Sequence, residues 1–198
     1  MNLAIIGATG NVGRKIIEVL EKSKIEIEEL FLIASEKSVG KKLKFKNKEI
    51  EVTVLEEYDF SSAEFTIFAA GKTIAQDWIP IASNQTTIID NSSCFRMDNN
   101  VPLIVPEVNP EALKSHENII SNPNCSTIQL VLVLKPLHEL YKIKRVVVST
   151  YQAVSGAGKD SMDELFNQTR EYLDNKKIKS KNFTKQIAFN LIPHIDKF

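Results

Sequence analysis

Cys125 lies in the run Ser121-Asn122-Pro123-Asn124-Cys125-Ser126-Thr127-Ile128-Gln129, directly ahead of a long apolar segment with helical character. A cysteine at a helix start faces unpaired backbone N–H groups and the positive end of the helix dipole, and both favour its thiolate. The thiolate is the nucleophilic form, and the N–H groups of Ser126 and Thr127 could steady the oxyanion formed when it attacks a carbonyl. A buried structural cysteine is the alternative that the local sequence leaves open.

A second chemical motif stands near the first residue. Asn2 to Ile6 is a short apolar run, followed at once by Gly7-Ala8-Thr9-Gly10-Asn11-Val12-Gly13. Val12, Ile16, Ile17 and Leu20 then recur at helical spacing, so strand, glycine turn and helix come in the order a dinucleotide site requires. Glycines placed this way let the backbone approach a pyrophosphate resting on the helix N-terminus.

These motifs need a frame. Leu30 to Ser35, Phe65 to Ala70 and Thr86 to Asp90 read as further strands, and Ile74 to Ser83 as a helix that Pro80 bends or ends. Lys41 to Val54 alternates charged and apolar residues at period two, which predicts a half-buried hairpin turning near Asn47-Lys48. Ile128 to Tyr141 reads as a helix despite Pro136. Arg145 to Thr150 reads as a strand, and the lysine-rich stretch Lys176 to Lys185 as a solvated surface loop. Strands alternating with helices predict an α/β fold with a Rossmann-like, doubly wound parallel sheet, whose ligands sit at the carboxyl ends of the strands. Residues 1–124 are expected to form the dinucleotide-binding domain, and 125–198 to begin a second α+β domain.

The end of the second strand selects the cofactor: an acid favours NAD, whereas cations and hydroxyls accept the 2′-phosphate of NADP. Ser35-Glu36-Lys37-Ser38 carries both kinds, so the residues alone leave the choice open. Composition narrows the partners. Lys and Arg number 25, as do Asp and Glu, over 198 residues, which gives no reason to expect a nucleic-acid or membrane partner. Cys94 and Cys125 are the two cysteines, too few for a disulfide framework and without metal-ligand spacing, so no metal is expected and a reducing cytoplasm is the simplest compartment.

Taken together, GATGNVG, Asp90-Asn91-Ser92-Ser93-Cys94-Phe95-Arg96, Val105-Pro106-Glu107-Val108-Asn109, SNPNCSTIQ, Tyr151-Gln152-Ala153-Val154-Ser155-Gly156-Ala157-Gly158 and Phe189 to Asp196 resemble the aspartate-semialdehyde dehydrogenases. The N-P-N-C-S-T and Y-Q-A-V-S-G-A-G pair separates the chain from the related N-acetylglutamyl-phosphate reductases. The resemblance implies NADP(H)-dependent reductive dephosphorylation of L-aspartyl 4-phosphate to L-aspartate 4-semialdehyde, in the biosynthesis of lysine, diaminopimelate, methionine and threonine. It makes Cys125 the nucleophile, Gln152 the residue that orients the acyl group, and Arg96 and Asn124 the phosphate grip. Gly7, Thr9, Gly10, Asn11, Val12, Gly13, Ser35, Lys37, Ser38, Ser155 and Gly156 would hold the cofactor, with Lys37 where relatives commonly carry arginine. Cys94 is read as a packed, non-catalytic thiol. A homodimer or higher homo-oligomer is implied for the full-length protein.

The resemblance also implies a downstream acid–base histidine, a substrate-binding arginine, and a lysine and glutamate that contact phosphate and the substrate amine. None of His116, His138 and His194 matches the histidine. The sequence is therefore expected to be a fragment or a shortened gene product, inactive as an isolated chain. A non-catalytic nucleotide-binding remnant, or a related N-acetylglutamyl-phosphate reductase, is the alternative reading.

Overall fold

A computed structural model describes residues 1–194. The first residues build a strand because Leu3 to Ile6 are apolar on both faces, and all four are buried. This strand, β1 (Leu3–Ile6), occupies the middle of a seven-stranded sheet. The others are β2 (Leu30–Ala34), β3 (Lys42–Phe45), β4 (Lys48–Val54), β5 (Phe65–Phe68), β6 (Thr87–Asp90) and β7 (Ile119–Ser121), in the order β3-β4-β2-β1-β5-β6-β7. All neighbours run parallel except the β3–β4 hairpin, which turns through Lys46 and Asn47 with Lys46 in the left-handed region at φ 53°.

Side-chain alternation along β1 divides the core. Leu3 and Ile5 face α1 (Asn11–Lys22) and pack with its Ile17 and Leu20 and with Leu32 and Val52. Ala4 and Ile6 face the opposite way, toward α2 (Lys72–Ala82), and pack with Ile33, Phe68, Ile79 and Ile88. Each large aliphatic side chain so buried contributes about 1.5–3 kcal/mol. Phe31, Tyr58, Phe60, Phe68 and Trp78 add a chain of ring contacts to the second layer, with centroids 5.3–6.3 Å apart. The parallel α/β sheet with helices on both faces is the expected class.

Two local expectations are corrected, and of the two roles open to Pro80 one is excluded. Pro80 lies inside α2 and does not end it; the helix runs on to Ala82 because Ile79 and Ala82 are buried in the core. Arg145 to Thr150 forms no strand: no strand among the described residues lies beside it, and Val146, Val147 and Val148 are 47, 80 and 55% exposed. The helix α3 (Cys125–Tyr141) begins at Cys125, three residues before the expected start.

The chain packs as two units, 1–149 and 150–198. The boundary expected between 124 and 125 coincides with the start of α3, within the first unit. The second unit contains α4 (Lys159–Leu173), whose buried residues Ser161, Glu164 and Gln168 are all polar. Gln168 donates to Glu164 at 2.9 Å and accepts from the backbone N–H groups of Ile187 and Ala188 at 2.8 and 3.1 Å. Glu164 accepts from the N–H groups of Lys181 and Asn182 at 2.9 and 2.6 Å. The lysine-rich stretch is thus an exposed loop clamped to α4 by two side chains. The segment Phe189–Asp196 used in the resemblance runs partly outside the described residues, at Ile195 and Asp196.

Candidate active site

Strand register brings the chemistry to one edge of the sheet. Ile6 pairs with Ile33 and Phe68, Phe68 with Asp90, and Asp90 with Ser121, so the carboxyl ends of β2, β1, β5, β6 and β7 are level. The glycine turn leaves from Ile6, and Cys125 follows four residues after Ser121.

The turn is fixed by main-chain bonds. Gly7 and Ala8 donate to the Ile33 carbonyl at 2.8 and 3.0 Å, and Gly10 donates to the Gly7 carbonyl at 3.0 Å. Gly7 takes φ 86°, and a Cβ there would lie 2.7 Å from the Ala69 carbonyl oxygen. A Cβ on Gly13 would lie 2.3 Å from the Gly7 carbonyl oxygen, so α1 meets the turn with no room for a side chain. Gly10 occupies the N-cap of α1 with no side chain to cap it, and the first turn carries no acid. That leaves helix-end N–H groups and an unopposed dipole for an anion, which fits a dinucleotide pyrophosphate.

At the end of β2, Ser35 and Lys37 are exposed while Ser38 is buried. The Thr9 hydroxyl donates to Ser38 Oγ at 3.1 Å, and the Lys41 ammonium donates to the same oxygen at 3.4 Å. Arg14 Nε donates to the Thr9 carbonyl at 3.0 Å. Neither Lys41 nor Arg14 was singled out from sequence. A cation three residues after Ser38, just beyond a glycine, was the available signal for Lys41.

The thiol site is built from the ends of β6 and β7. Asp90, fully buried, accepts from Ser92 through both backbone and hydroxyl at 2.8 and 3.0 Å, which curls the following loop back on itself. The curl returns Arg96 to the strand ends, where its Nε donates to the Asn122 carbonyl at 2.8 Å and its Nη2 to the Asn91 carbonyl at 3.4 Å. Asn122 Nδ2 in turn donates to Asn91 Oδ1 at 3.3 Å. Asn124 is the N-cap of α3, its Oδ1 accepting from the Ser126 N–H at 3.0 Å. The Cys125 thiol, exposed at the first helical position, donates to the same oxygen at 3.8 Å. The cap oxygen of Asn124 is therefore engaged with the protein, leaving its amide N–H₂ for a ligand. Cys94 is half-buried against the second core layer, and burial, then the Asp90 charge, pushes its pKa up.

Gln152, Ser155 and Gly156 belong to the second unit. A short 3₁₀ turn over Val154–Ala157 is closed by Gly156 N–H donating to the Ala153 carbonyl at 3.1 Å. The Gln152 amide lies over Gly156, where a Cβ would come within 2.6 Å of its Nε2. Gly158, at φ 91°, then starts α4.

Among the described residues no group of three or more His, Cys, Asp and Glu could hold a metal ion, and no helix is long and apolar enough to cross a membrane. A parallel sheet with a glycine cradle at the end of β1 and an exposed cysteine heading a helix past β7 describes a dinucleotide-binding fold joined to thiol chemistry. The chain belongs to the semialdehyde dehydrogenase family: residues 2–116 match its NAD binding domain and residues 134–198 its dimerisation domain. It is 48% identical to aspartate-semialdehyde dehydrogenase 2 of Vibrio cholerae over all of this chain and 59% of that one. It is 51% identical to the aspartate-semialdehyde dehydrogenase of Aquifex aeolicus, over 99% of this chain and 59% of the relative. The crystal structure of aspartate semialdehyde dehydrogenase II complexed with ASA from Vibrio cholerae superposes with a TM-score of 0.96 at 48% identity, over 100% of this chain and 60% of that one. The chain thus spans about three-fifths of the length of these relatives.

Proposed function

We propose that the chain carries the nucleotide-binding and thiol-bearing part of an NADP-dependent aspartate-semialdehyde dehydrogenase, which reduces L-aspartyl 4-phosphate to L-aspartate 4-semialdehyde. The observation that carries the reading is Cys125, exposed at the first position of α3 beside the capping Asn124, at the carboxyl edge of the sheet.

The Cys125 thiolate attacks the acyl carbon; a C–S bond forms, the C–O bond to phosphate breaks, and inorganic phosphate leaves with the bonding pair. This divides one hard step into two easier ones. The N–H groups at the start of α3 face the oxyanion of the addition step. Arg96, tied at one side to Asn122 and Asn91, offers its remaining N–H donors to the phosphoryl oxygens, and the Asn124 amide adds a neutral donor. Gln152 orients the acyl oxygen through its amide. The nicotinamide cofactor, when bound, supplies the hydride that takes the thioester to the aldehyde level; Gly7, Thr9, Gly10, Asn11, Val12 and Gly13 cradle its pyrophosphate. Ser35, Lys37 and Ser38 line the ribose end, and Ser155 and Gly156 serve the nicotinamide end. When the aldehyde forms, Cys125 Sγ departs as thiolate and the cycle closes. Residues 1–124 and 125–198 are the cofactor and catalytic domains in this reading. The whole protein is a cytoplasmic homo-oligomer serving aspartate-family amino-acid synthesis.

The test is to trap the acyl group. The longest natural form of the polypeptide is mixed with aspartate semialdehyde and NADP without phosphate, quenched in acid, and digested for mass mapping. An aspartyl adduct on Cys125, absent from Cys125→Ser, supports the reading. A clean Cys125 with adduct elsewhere, or none at all, overturns it in favour of a non-catalytic nucleotide-binding protein.

A further inference from the structure

The ribose end of the cradle holds a cation that lies outside the strand-end run Ser35–Ser38. Resting on the NADP reading above, we infer that Lys41, not Lys37, is the lysine that selects for the 2′-phosphate.

Two donors converge on one buried oxygen. Ser38 Oγ accepts from Thr9 at 3.1 Å and from the Lys41 ammonium at 3.4 Å, so its own hydroxyl proton is left to donate outward. The contact set contains donors and no carboxylate, which suits a dianion at the end of β2, where the ribose of a dinucleotide lies.

The backbone of Lys41 is held as well. Gly40 at φ 76° reverses the chain after the 3₁₀ turn Glu36–Ser38. Lys41 then donates to the Ser38 carbonyl at 3.2 Å and accepts from the Val52 N–H at 2.8 Å, while Gly40 donates to the Val52 carbonyl at 3.1 Å. The side chain therefore leaves from a fixed point on the β4 ladder. Both lysines are exposed, but Lys37 has no hydrogen bond or ion pair among the described residues, whereas the Lys41 ammonium reaches Ser38 Oγ. Holding Lys37 against a phosphate costs the rotamer freedom of a long side chain that nothing in the protein restrains beforehand.

The experiment titrates NADP and NAD separately, by calorimetry at one ionic strength, into the wild type, Lys41→Ala, Lys41→Arg and Lys37→Ala. Lys41→Ala is expected to weaken NADP about tenfold, the loss of one charge-assisted contact, and to leave NAD within about twofold. Lys41→Arg restores most of the NADP affinity, and Lys37→Ala weakens NADP by clearly less than Lys41→Ala does. A larger NADP loss in Lys37→Ala, or equal weakening of both cofactors in Lys41→Ala, overturns the inference. So does a wild type that binds the two cofactors alike. Each of these outcomes is independent of the Cys125 adduct, which judges the reaction itself.

Discussion

Arg96 Nε donates to the main-chain carbonyl of Asn122 at 2.8 Å, three residues before Cys125. With the Nη2 bond to the Asn91 carbonyl at 3.4 Å, it holds one side of the guanidinium against the ends of β6 and β7.

Lysine at this position has no planar fork to divide between a carbonyl and an anion. Arg96→Lys, in the longest natural form, is expected to raise KM for phosphate and lower kcat for phosphate-dependent semialdehyde oxidation by about 10²-fold through misplacement. Steady-state kinetics with varied phosphate read both. Unchanged KM for phosphate removes Arg96 from the phosphate grip.

The two thiols should separate in reactivity. Cys125 is exposed, whereas Cys94 is half-buried with its pKa raised by burial and the Asp90 charge. Limiting iodoacetamide near neutral pH should label Cys125 first, and labelling of Cys94 should rise mainly as pH moves above the ordinary thiol range. Mass mapping after a timed quench distinguishes them; preferential attack at Cys94 reverses the assignment.

Gly13→Ala should damage the cradle more than its helical position suggests. Alanine normally improves a helix over glycine by about 0.5–1 kcal/mol, but here the methyl would lie 2.3 Å from the Gly7 carbonyl oxygen. Backbone must shift, costing about 1–3 kcal/mol in denaturant unfolding and most of the cofactor affinity. A stabilised variant with unchanged cofactor binding would falsify the close approach of α1 to the turn.

Gln168→Leu tests the clamp of the second unit. The change removes the acceptor of the Ile187 and Ala188 N–H groups and the donor to Glu164, leaving buried polar groups unpaired at about 1–3 kcal/mol each. Hydrogen exchange should quicken at the amides of Lys181, Asn182, Ile187 and Ala188 and stay unchanged in β1 and β5. Uniform protection in both units would mean the loop is held by other contacts.

Tyr58 sets a limit at alkaline pH. Burial, then the Asp59 charge, pushes its phenol up to about 12 from 10.0. Between those values the unfolded chain has lost the proton that the folded chain keeps, so unfolding releases a proton and stability falls as pH rises. Below pH 10 both states are protonated and the contribution is constant. Tyr58→Phe should therefore gain on wild type between about pH 10 and 12 in chemical unfolding. Its hydroxyl has no hydrogen-bond partner among the described residues, so the variant should lose nothing near neutrality. Parallel pH curves for the two proteins would contradict the shift.

Much of this was legible in the sequence, and the misses have physical causes. β1, its glycine turn and α1 could be read because both faces of the strand are apolar and the glycines have no side chains to hide the turn. α4 was missed because its buried stripe is Ser161, Glu164 and Gln168, so hydrophobic periodicity points away from the face that packs. β7 has three residues and follows a polar run, too short for a period to show. The valines of Arg145–Thr150 have the composition of a strand, but a strand exists only beside another. By pattern Lys41 belongs to a solvated hairpin face; its approach to Ser38 depends on the φ of Gly40, which no spacing rule reports.

The sheet order has a consequence for how this chain acquires its fold. β1 precedes both of its partners, and the second of them, β5, begins at Phe65, opposite Leu3. The segment destined for the deepest burial must therefore wait, exposed, through some sixty residues of chain before both of its edges are paired. Closing such a loop is entropically slow, and an unpaired apolar edge invites pairing between chains. Folding yield should thus depend on how quickly β5 arrives, more than on the intrinsic stability of the residues that wait for it.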